Sequence, residues 1–543
     1  MRYSLLILIS LLLHISVYGR NRISSIEELN RTPHTLNSHT ECEQRSSLEM
    51  DFSSMRILTN EELDKRGPAI YPRIKQMRNG EWLLLFQGYR IGSYIYYCIS
   101  KDKGKSWSYR KELFRPYAVT TSRGGDQRRF STADAVVLQN GDILVVCSYR
   151  AHKGYSHGVD CGLMLRRSKD NGKSWSNEEI IYQGTNWEPF LLQLPDGRVQ
   201  CYFTDCNPST GDSGTSVIVS SDNGNSWSEK TVVCRQYRHT YEDGTRIYTD
   251  QMPSFRLLND GKTLLGFMEG ACHTPNSKDK RYRMSVVRQH GTDWSPLTGD
   301  RVGPADRDTN ITRGAGGYVA TFPSGETVLS CNIGSKFSLK MGNHRGDRFN
   351  GSWDDGWLQP FKYGGYWGST EVLDSHRLLA AIHCKKGIQY GTLHLNHDIA
   401  APRLTVKIDG KNSEWGHDEA LFVGSDSPSQ MLLRAAYDDE NIYLLVECKS
   451  DDREAFARVD INTSHSLLIT RKGCSGVKGL KAKCRKAETT TAEKGFAAEV
   501  AIPRKQLQGA LSIWCAITAN GISDTLSVAN KNDIASLPQI VLK

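Results

Sequence analysis

Short segments that mix carboxyl groups, arginines and aromatic rings recur along this chain. In order they are Tyr71-Pro72-Arg73-Ile74, Ser131-Thr132-Ala133-Asp134, Asn186-Trp187-Glu188-Pro189, Thr249-Asp250-Gln251-Met252-Pro253, Thr312-Arg313-Gly314-Ala315 and Gly365-Tyr366-Trp367. Arg90, Arg150, Asp205 and Glu269 stand a short way beyond four of them. Gathered at one point, such groups could transfer protons, stabilise developing charge and hold an oxygen-rich ligand. A hydrophobic core would not collect them, because an unpaired buried charge is costly. The competing explanation is a structural network of ion pairs, and the catalytic reading is favoured over it. Either one requires an architecture that brings residues far apart in sequence to a common centre.

Six copies of a strand-turn-strand pattern supply that architecture. They run Gln76–Phe86, Val137–Cys147, Gln193–Phe203, Leu257–Phe267, Thr321–Cys331 and, in degenerate form, Val372–Ile382. Five of them turn at Gly80, Gly141, Gly197, Gly261 and Gly325, and Ser375 takes the sixth place. Asn-Gly, Asp-Gly or Ser-Gly between apolar runs predicts a two-residue hairpin turn. The period fits one four-stranded propeller blade with its loops, so an all-β, six-bladed β-propeller is expected over 51–398, closed by a strand near residue 60. The charged segments then begin each innermost strand, and Arg90, Arg150, Asp205 and Glu269 end the second strands. All of them face one mouth of the central channel.

A second repeat, Ser-x-Asp-x-Gly-x-x-Trp, occurs at Ser100–Trp107, Ser168–Trp175 and Ser220–Trp227, with a worn copy at Gly291 and Trp294. The Asp is expected to cap backbone N–H groups of the outer hairpin, the Gly to take a positive φ and the Trp to pack beneath. This motif resembles the Asp-box of the sialidase-like superfamily. The resemblance implies a fold and assigns these aspartates a structural role.

The chain opens with an apolar run, Leu5 to Leu13, behind Arg2, and Val17-Tyr18-Gly19 offers small residues for signal peptidase. Residues 1–19 therefore read as a signal peptide and 20–50 as a polar linker, with a soluble protein, secreted or periplasmic, as the expected product. Sequons at Asn30, Asn310, Asn350 and Asn462 bear on it only if its host glycosylates exported proteins. Of fourteen cysteines, Cys147, Cys201 and Cys331 fall in predicted core strands, and no disulfide pairing is assigned. The net charge of +9 is partly local to 471–486, which holds seven basic residues and reads as a solvated loop. No nucleic-acid motif accompanies it.

Beyond about 400 a different pattern begins: Ile408-Asp409-Gly410 leading to Trp415, the hairpin Leu432–Glu447, and Phe496–Pro503. Residues 403–543 resemble the β-sandwich of family 9-like carbohydrate-binding modules. Trp415, Tyr437 and Tyr443 either stack on sugar rings or belong to its core.

Two families compete for the channel mouth. Arg73, Arg313 and Tyr366 resemble parts of the true sialidase site, but a third carboxylate-binding arginine would fall where Thr204 and Asp205 stand, and a carboxylate there repels an anionic sugar. Trp187-Glu188-Pro189 and Gln251-Met252-Pro253 followed by Phe267-Met268-Glu269 resemble the exo-α-1,5-L-arabinanases over roughly 65–395. That resemblance implies an exo-acting glycosidase of a neutral, arabinan-type sugar with Glu188 as acid/base and Glu269 as nucleophile. Tyr71, Arg73, Arg90, Asp134, Arg150, Trp187, Asp250, Gln251, Arg313 and Tyr366 would bind the substrate. The alternatives are an exo-α-sialidase or related acidic-sugar hydrolase, and a non-catalytic sugar-binding propeller. A carbohydrate is the expected partner of a monomer, with no nucleic acid, cofactor or metal invoked.

Overall fold

The computed structural model describes residues 35–543 apart from 38–44, 66, 89–92, 208–211, 236–238, 241–245, 248–249, 274–279, 298–302, 351, 354–355, 417–418, 425–428, 487–494 and 528–530. The signal-peptide segment, Asn30, Arg90 and Thr249 lie outside the described residues. None of the described helices is long and apolar enough to cross a membrane.

Six antiparallel sheets form the propeller, with inner strands Ile70–Gln76, Gly124–Val137, Asn186–Gln193, Gln251–Leu257, Ala315–Thr321 and Gly365–Val372. Each inner strand pairs with a largely apolar strand, and Trp82–Gly88 and Ile143–Ala151 are buried along their whole length, because both faces pack against neighbouring blades. The last blade closes as expected. Its third strand, Gly387–Asn396, pairs with Arg56–Thr59 from the beginning of the propeller, so the two ends of the ring are sewn together. The same strand also pairs with Ser47–Met50, which corrects the linker reading for those residues.

The inner turns differ from the predicted two-residue form. Met77 N–H bonds to Glu81 O and Gly80 N–H to Met77 O, a pattern repeated at 138–142, 194–198 and 322–326. This is a longer loop in which only the glycine, at φ between 81° and 116° in these four, adopts positive φ. The Asp-boxes behave as expected. Asp102 accepts Ser106 N–H at 2.8 Å and the Ser106 hydroxyl at 2.6 Å, and Asp170 and Asp222 repeat this geometry. Hydrogen bonds from these serines lower the Asp102 and Asp170 carboxyls to about 2.

A more consequential regularity lies in the inner strands. Each contains a β-bulge, near its start in five blades and past the middle of the long Gly124–Val137 in the second, where two residues oppose one: Tyr71-Pro72, Thr132-Ala133, Glu188-Pro189, Met252-Pro253, Gly316-Gly317 and Trp367-Gly368. The first residue of each pair is left-handed, with φ of 57°, 50°, 46°, 53°, 69° and 52° in blade order. For a residue with a side chain this conformation costs on the order of 1 kcal/mol or more, and it recurs because the bulge re-aims the strand.

Residues 399–543 form a β-sandwich. One sheet runs from Ile399–Ala401 through Gln539–Leu542 and Leu511–Ala519 to Cys474–Ser475, and the other from Leu421–Gly424 to Lys481–Lys486. Both sheets contribute to one apolar core that includes Val423, Leu444, Val459, Phe496 and Ile517. Trp415 and Tyr443 are buried in a satellite of that core, Trp415 donating to Glu499 Oε1 at 2.9 Å, so the core alternative holds for both. Lys481–Lys486 is an edge strand rather than a loop, where its basic residues guard an open edge. The sandwich begins with Ile399–Ala401, ahead of the expected boundary at 403. The twelve cysteines whose side chains are described are free thiols.

Candidate active site

The left-handed bulge residues form a ring around the channel mouth: Tyr71, Thr132, Glu188, Met252, Gly316 and Trp367. A second ring is formed by the residues that pair with the strand just before each bulge: Gln87, Ser148, Thr204, Glu269, Asn332 and His383. The rings are laced together from blade to blade. Thr132 N–H donates to Gln87 Oε1 at 3.1 Å, Met252 N–H to Thr204 Oγ1 at 2.8 Å, Gly316 N–H to Glu269 Oε2 at 2.7 Å and Trp367 N–H to Asn332 Oδ1 at 3.0 Å. Each ring therefore contains one carboxylate, Glu188 in the first and Glu269 in the second, on adjacent blades.

Hydrogen bonds fix both glutamates. Glu188 is half-buried and accepts the Thr204 hydroxyl on Oε2 at 2.8 Å. Glu269 accepts Gln251 Nε2 on Oε1 at 2.7 Å and Gly316 N–H on Oε2. Both carboxylates act on the same two phenols. Burial first, then the charges of Glu188 and Glu269, push the Tyr71 hydroxyl well above its usual range, and burial with Glu269 and Glu188 raises Tyr282 to about 12. Both phenols therefore stay protonated at ordinary pH, and the Tyr71 hydroxyl lies 3.7 Å from Met252 Sδ.

Aromatic rings wall the mouth. Tyr71 stacks on Trp367 with centroids 4.9 Å apart, Trp367 stacks on His383 at 5.2 Å, and Tyr366 stands exposed beside them. Burial lowers His383 to about 4, so it is neutral at ordinary pH. On the opposite side the Arg150 guanidinium lies 3.4 Å over the Trp187 ring and donates to Asn186 O at 3.0 Å.

Several predicted contacts have other duties. Arg73 and Asp134 are buried, with Arg73 Nε 3.7 Å from Asp134 Oδ1. Arg73 NH1 donates to the carbonyls of Pro72, Trp367 and Gly368, while Asp134 accepts Leu191 N–H and the Tyr318 hydroxyl. Below them Lys75 Nζ meets Tyr318 OH at 3.2 Å and Glu371 at 2.8 Å. Groups from five blades thus bridge the waist of the channel, and for these residues the structural network prevails. The mouth is separated by this bridge from a cavity of about 480 Å3 at the far end, lined by Lys75, Arg78, Arg256 and Glu371 among others.

Asp250 is also withdrawn from the mouth: it is fully buried and pairs with Arg307 at 3.0 and 3.1 Å. Strand alternation turns Asp205 away from Thr204, toward Lys230 at 2.8 Å and Ser216 at 3.0 Å, so its charge is neutralised by a lysine. Gln251 stays in the site through Glu269, and Arg313 is exposed opposite Arg283. Thr204 and Tyr282 are the functional candidates that the motifs did not nominate. Period-two counting from the buried Phe203 was the signal for Thr204, whereas Tyr282 sits on a third strand, Lys280–His290, outside every repeat.

Residues 55–298 match the family model of the BNR repeat-like domain. No curated protein matches the chain. Among solved structures, a protein of unknown function from Dyadobacter fermentans is 16% identical, with a TM-score of 0.46, 64% of this chain and 99% of that chain being covered. The GH93 α-L-arabinofuranosidase of Fusarium graminearum, solved with arabinobiose, is 17% identical at a TM-score of 0.45, over 62% of this chain and 97% of that one. A mutant of the NanB sialidase from Streptococcus pneumoniae is 11% identical at a TM-score of 0.41, over 63% of this chain and 70% of that one.

Proposed function

We propose that the channel mouth is the active site of a sialidase-superfamily glycoside hydrolase that removes terminal sugars from a neutral, arabinan-type oligosaccharide or polysaccharide. The observation that carries this reading is the placement of Glu269. In the other five blades its position holds Gln, Ser, Thr, Asn or His, and Gln87, Thr204 and Asn332 accept the neighbouring bulge N–H without a charge. A carboxylate is unnecessary for that bond and expensive at a site only 5% exposed, so its charge calls for a second use. Glu188 is likewise the only carboxylate in its ring.

Glycoside cleavage needs one carboxyl group to protonate the leaving oxygen and another to attack or stabilise the oxocarbenium-like centre. Two donors on Glu269 favour its anion, which suits the nucleophile. Glu188, which accepts the Thr204 hydroxyl and is only partly buried, suits the acid/base. Tyr71 and Tyr282 supply hydroxyl donors to the sugar or to the acids, and Trp367, Tyr366 and Trp187 supply stacking walls.

A neutral sugar is favoured over a sialoside by what the arginines do. Arg73 serves backbone carbonyls and Asp134, Arg150 lies on Trp187, and Thr204 stands where a third arginine would be required. Among the described residues no three-arginine clamp forms. The N-terminal run supports an exported enzyme and the sandwich an accessory carbohydrate-binding domain. The deciding experiment offers the purified chain arabino-oligosaccharides and α-sialosides in parallel. Release of arabinose without sialic acid is the expected result, and the reverse would reject the substrate class.

A further inference from the structure

Three histidines and two carboxyl groups gather where the sixth blade meets the sandwich, at the turn end of the blade and therefore opposite the mouth. His376 lies in the inner turn of that blade, His397 follows its third strand, and Glu419 precedes the sandwich strand Leu421–Gly424. His376 is buried, and its Nδ1 is 2.9 Å from Leu395 O. A carbonyl only accepts, so Nδ1 carries a proton. Nε2 then faces Glu419 Oε2 at 3.3 Å, an oxygen that also accepts Ala400 N–H at 3.2 Å. Unless Nε2 or the carboxyl carries a further proton, a lone pair points at a carboxylate, and a cation between them makes that arrangement favourable.

His397 repeats the logic. Its Nδ1 is 3.3 Å from Glu326 Oε1, and Glu326 is itself anchored by the Ser46 hydroxyl at 2.7 Å. With Nδ1 so engaged, Nε2 is the nitrogen left for a ligand. Histidines that bind metals are oriented in this way, the distal N–H donating to a carbonyl or a carboxylate. One ligand atom from each of His376, His397 and Glu419 lies within 4.8 Å of the other two. His394 does not join them, since its Nε2 bonds to Ala420 O at 3.0 Å and its ring stacks on His376.

We infer that His376, His397 and Glu419 bind a divalent transition-metal ion, zinc by preference, which ties the sixth blade to the C-terminal sandwich. Two imidazoles and one carboxylate are a zinc donor set, whereas calcium and magnesium take oxygen ligands. With zinc bonds of about 2.05 Å, neighbouring ligands of a tetrahedron lie about 3.3 Å apart. His376 and Glu419 already have that spacing, and a nitrogen of His397 lies within 4.8 Å of both, so a rotation of that ring completes the set. Water completes the tetrahedron. The ion is structural, because the bridged waist of the channel separates it from the mouth.

The test uses the full chain, stripped with a chelator and dialysed. Zinc uptake measured by mass spectrometry is expected to reach one ion per chain, and cobalt in its place should give the intense visible bands of a tetrahedral site. Zinc should also raise the melting temperature by several degrees. Glu419→Gln and His397→Ala should each weaken uptake at least tenfold and lose the cobalt spectrum, with metal-free melting close to the parent. If Glu419→Gln fails to fold, His397→Gln serves as the second variant. No uptake by the stripped chain would mean that an imidazolium pairs with Glu419 directly, and the proposal fails. Uptake unchanged in both variants places the metal elsewhere and overturns it equally.

Discussion

The Thr204 hydroxyl donates to Glu188 Oε2 at 2.8 Å while accepting the Met252 N–H at the same distance. One side chain thereby couples the acid of the third blade to the bulge of the fourth, and Gln251, next to Met252, carries the connection on to Glu269. The two carboxylates belong to one hydrogen-bonded frame. Thr204→Val should cut turnover about tenfold and lower stability by about 1–2 kcal/mol, the cost of an N–H left without its acceptor. Thr204→Ser should restore both. Kinetics and thermal melts of the pair check this, and a valine variant with parental turnover would detach Thr204 from the mechanism.

Glu188→Gln and Glu269→Gln should each reduce turnover by about 10²–10⁴-fold. Melting should stay close to the parent in Glu188→Gln, whose amide oxygen can still accept the Thr204 hydroxyl, and fall modestly in Glu269→Gln, whose single amide oxygen cannot accept both Gln251 and Gly316. NMR of the first-formed product should show retention at the anomeric carbon, as expected of an acid/base and nucleophile pair. Inversion would reassign Glu269 as a base that activates water.

Tyr282 remains protonated up to about pH 12, so it can donate throughout the working range. Tyr282→Phe removes a single oxygen from a half-buried ring. We expect turnover to fall about 10–10²-fold with melting unchanged, and equal activity in the phenylalanine variant would make Tyr282 a bystander.

Arg73 and Arg313 should separate cleanly in their effects. Arg73→Leu leaves Asp134 buried without its partner, and a stability loss of about 3–5 kcal/mol is expected. Arg313→Ala, at an exposed position, should alter melting by less than about 0.5 kcal/mol equivalent and act, if at all, on KM. Denaturant titrations of both variants decide the matter.

The Asp-boxes predict an acid-limited stability. Asp102 and Asp170 titrate near 2 in the folded chain, below the unfolded value of 3.8. A depressed carboxyl stabilises the fold fully above its unfolded pKa and loses that contribution as pH falls toward its folded pKa. Melting temperature should therefore drop between pH 4 and 2, and the Asp102→Asn, Asp170→Asn double variant should show a shallower drop in that window. Parallel curves would assign acid lability to other groups.

Blade number, closure and Asp-boxes were legible because each is written several times, and a repeated Gly or Asp-x-Gly-x-x-Trp survives local noise. The catalytic glutamate candidates were legible through short motifs at strand starts. The burial of Arg73, Asp134 and Asp250 was not, since a bulge shifts the period-two alternation, so Tyr71 and Arg73 on one strand occupy different depths. Arg307, the partner of Asp250, lies in no repeat at all. Trp415 and Tyr443 illustrate a different limit: an aromatic residue has the same letter whether it stacks on a sugar or fills a core.

Gly316 occupies the one address in the bulge ring that carries no side chain. A methyl group there would sit 3.3 Å from Asn332 Oδ1 and 3.5 Å from the Trp367 ring, tight but not closed off, on a backbone that already accepts side chains in the other five blades. The ring is therefore a six-character label with one blank, and the blank differs from an address such as Thr132, whose hydroxyl accepts the Glu188 N–H at 3.2 Å and so helps to lace the blades. A small polar residue placed at 316 would add a side chain to the ring that contains Glu188. Position 316 is thus the address where a side chain can be added while the lacing through Gln87, Thr204, Glu269 and Asn332 stays the same.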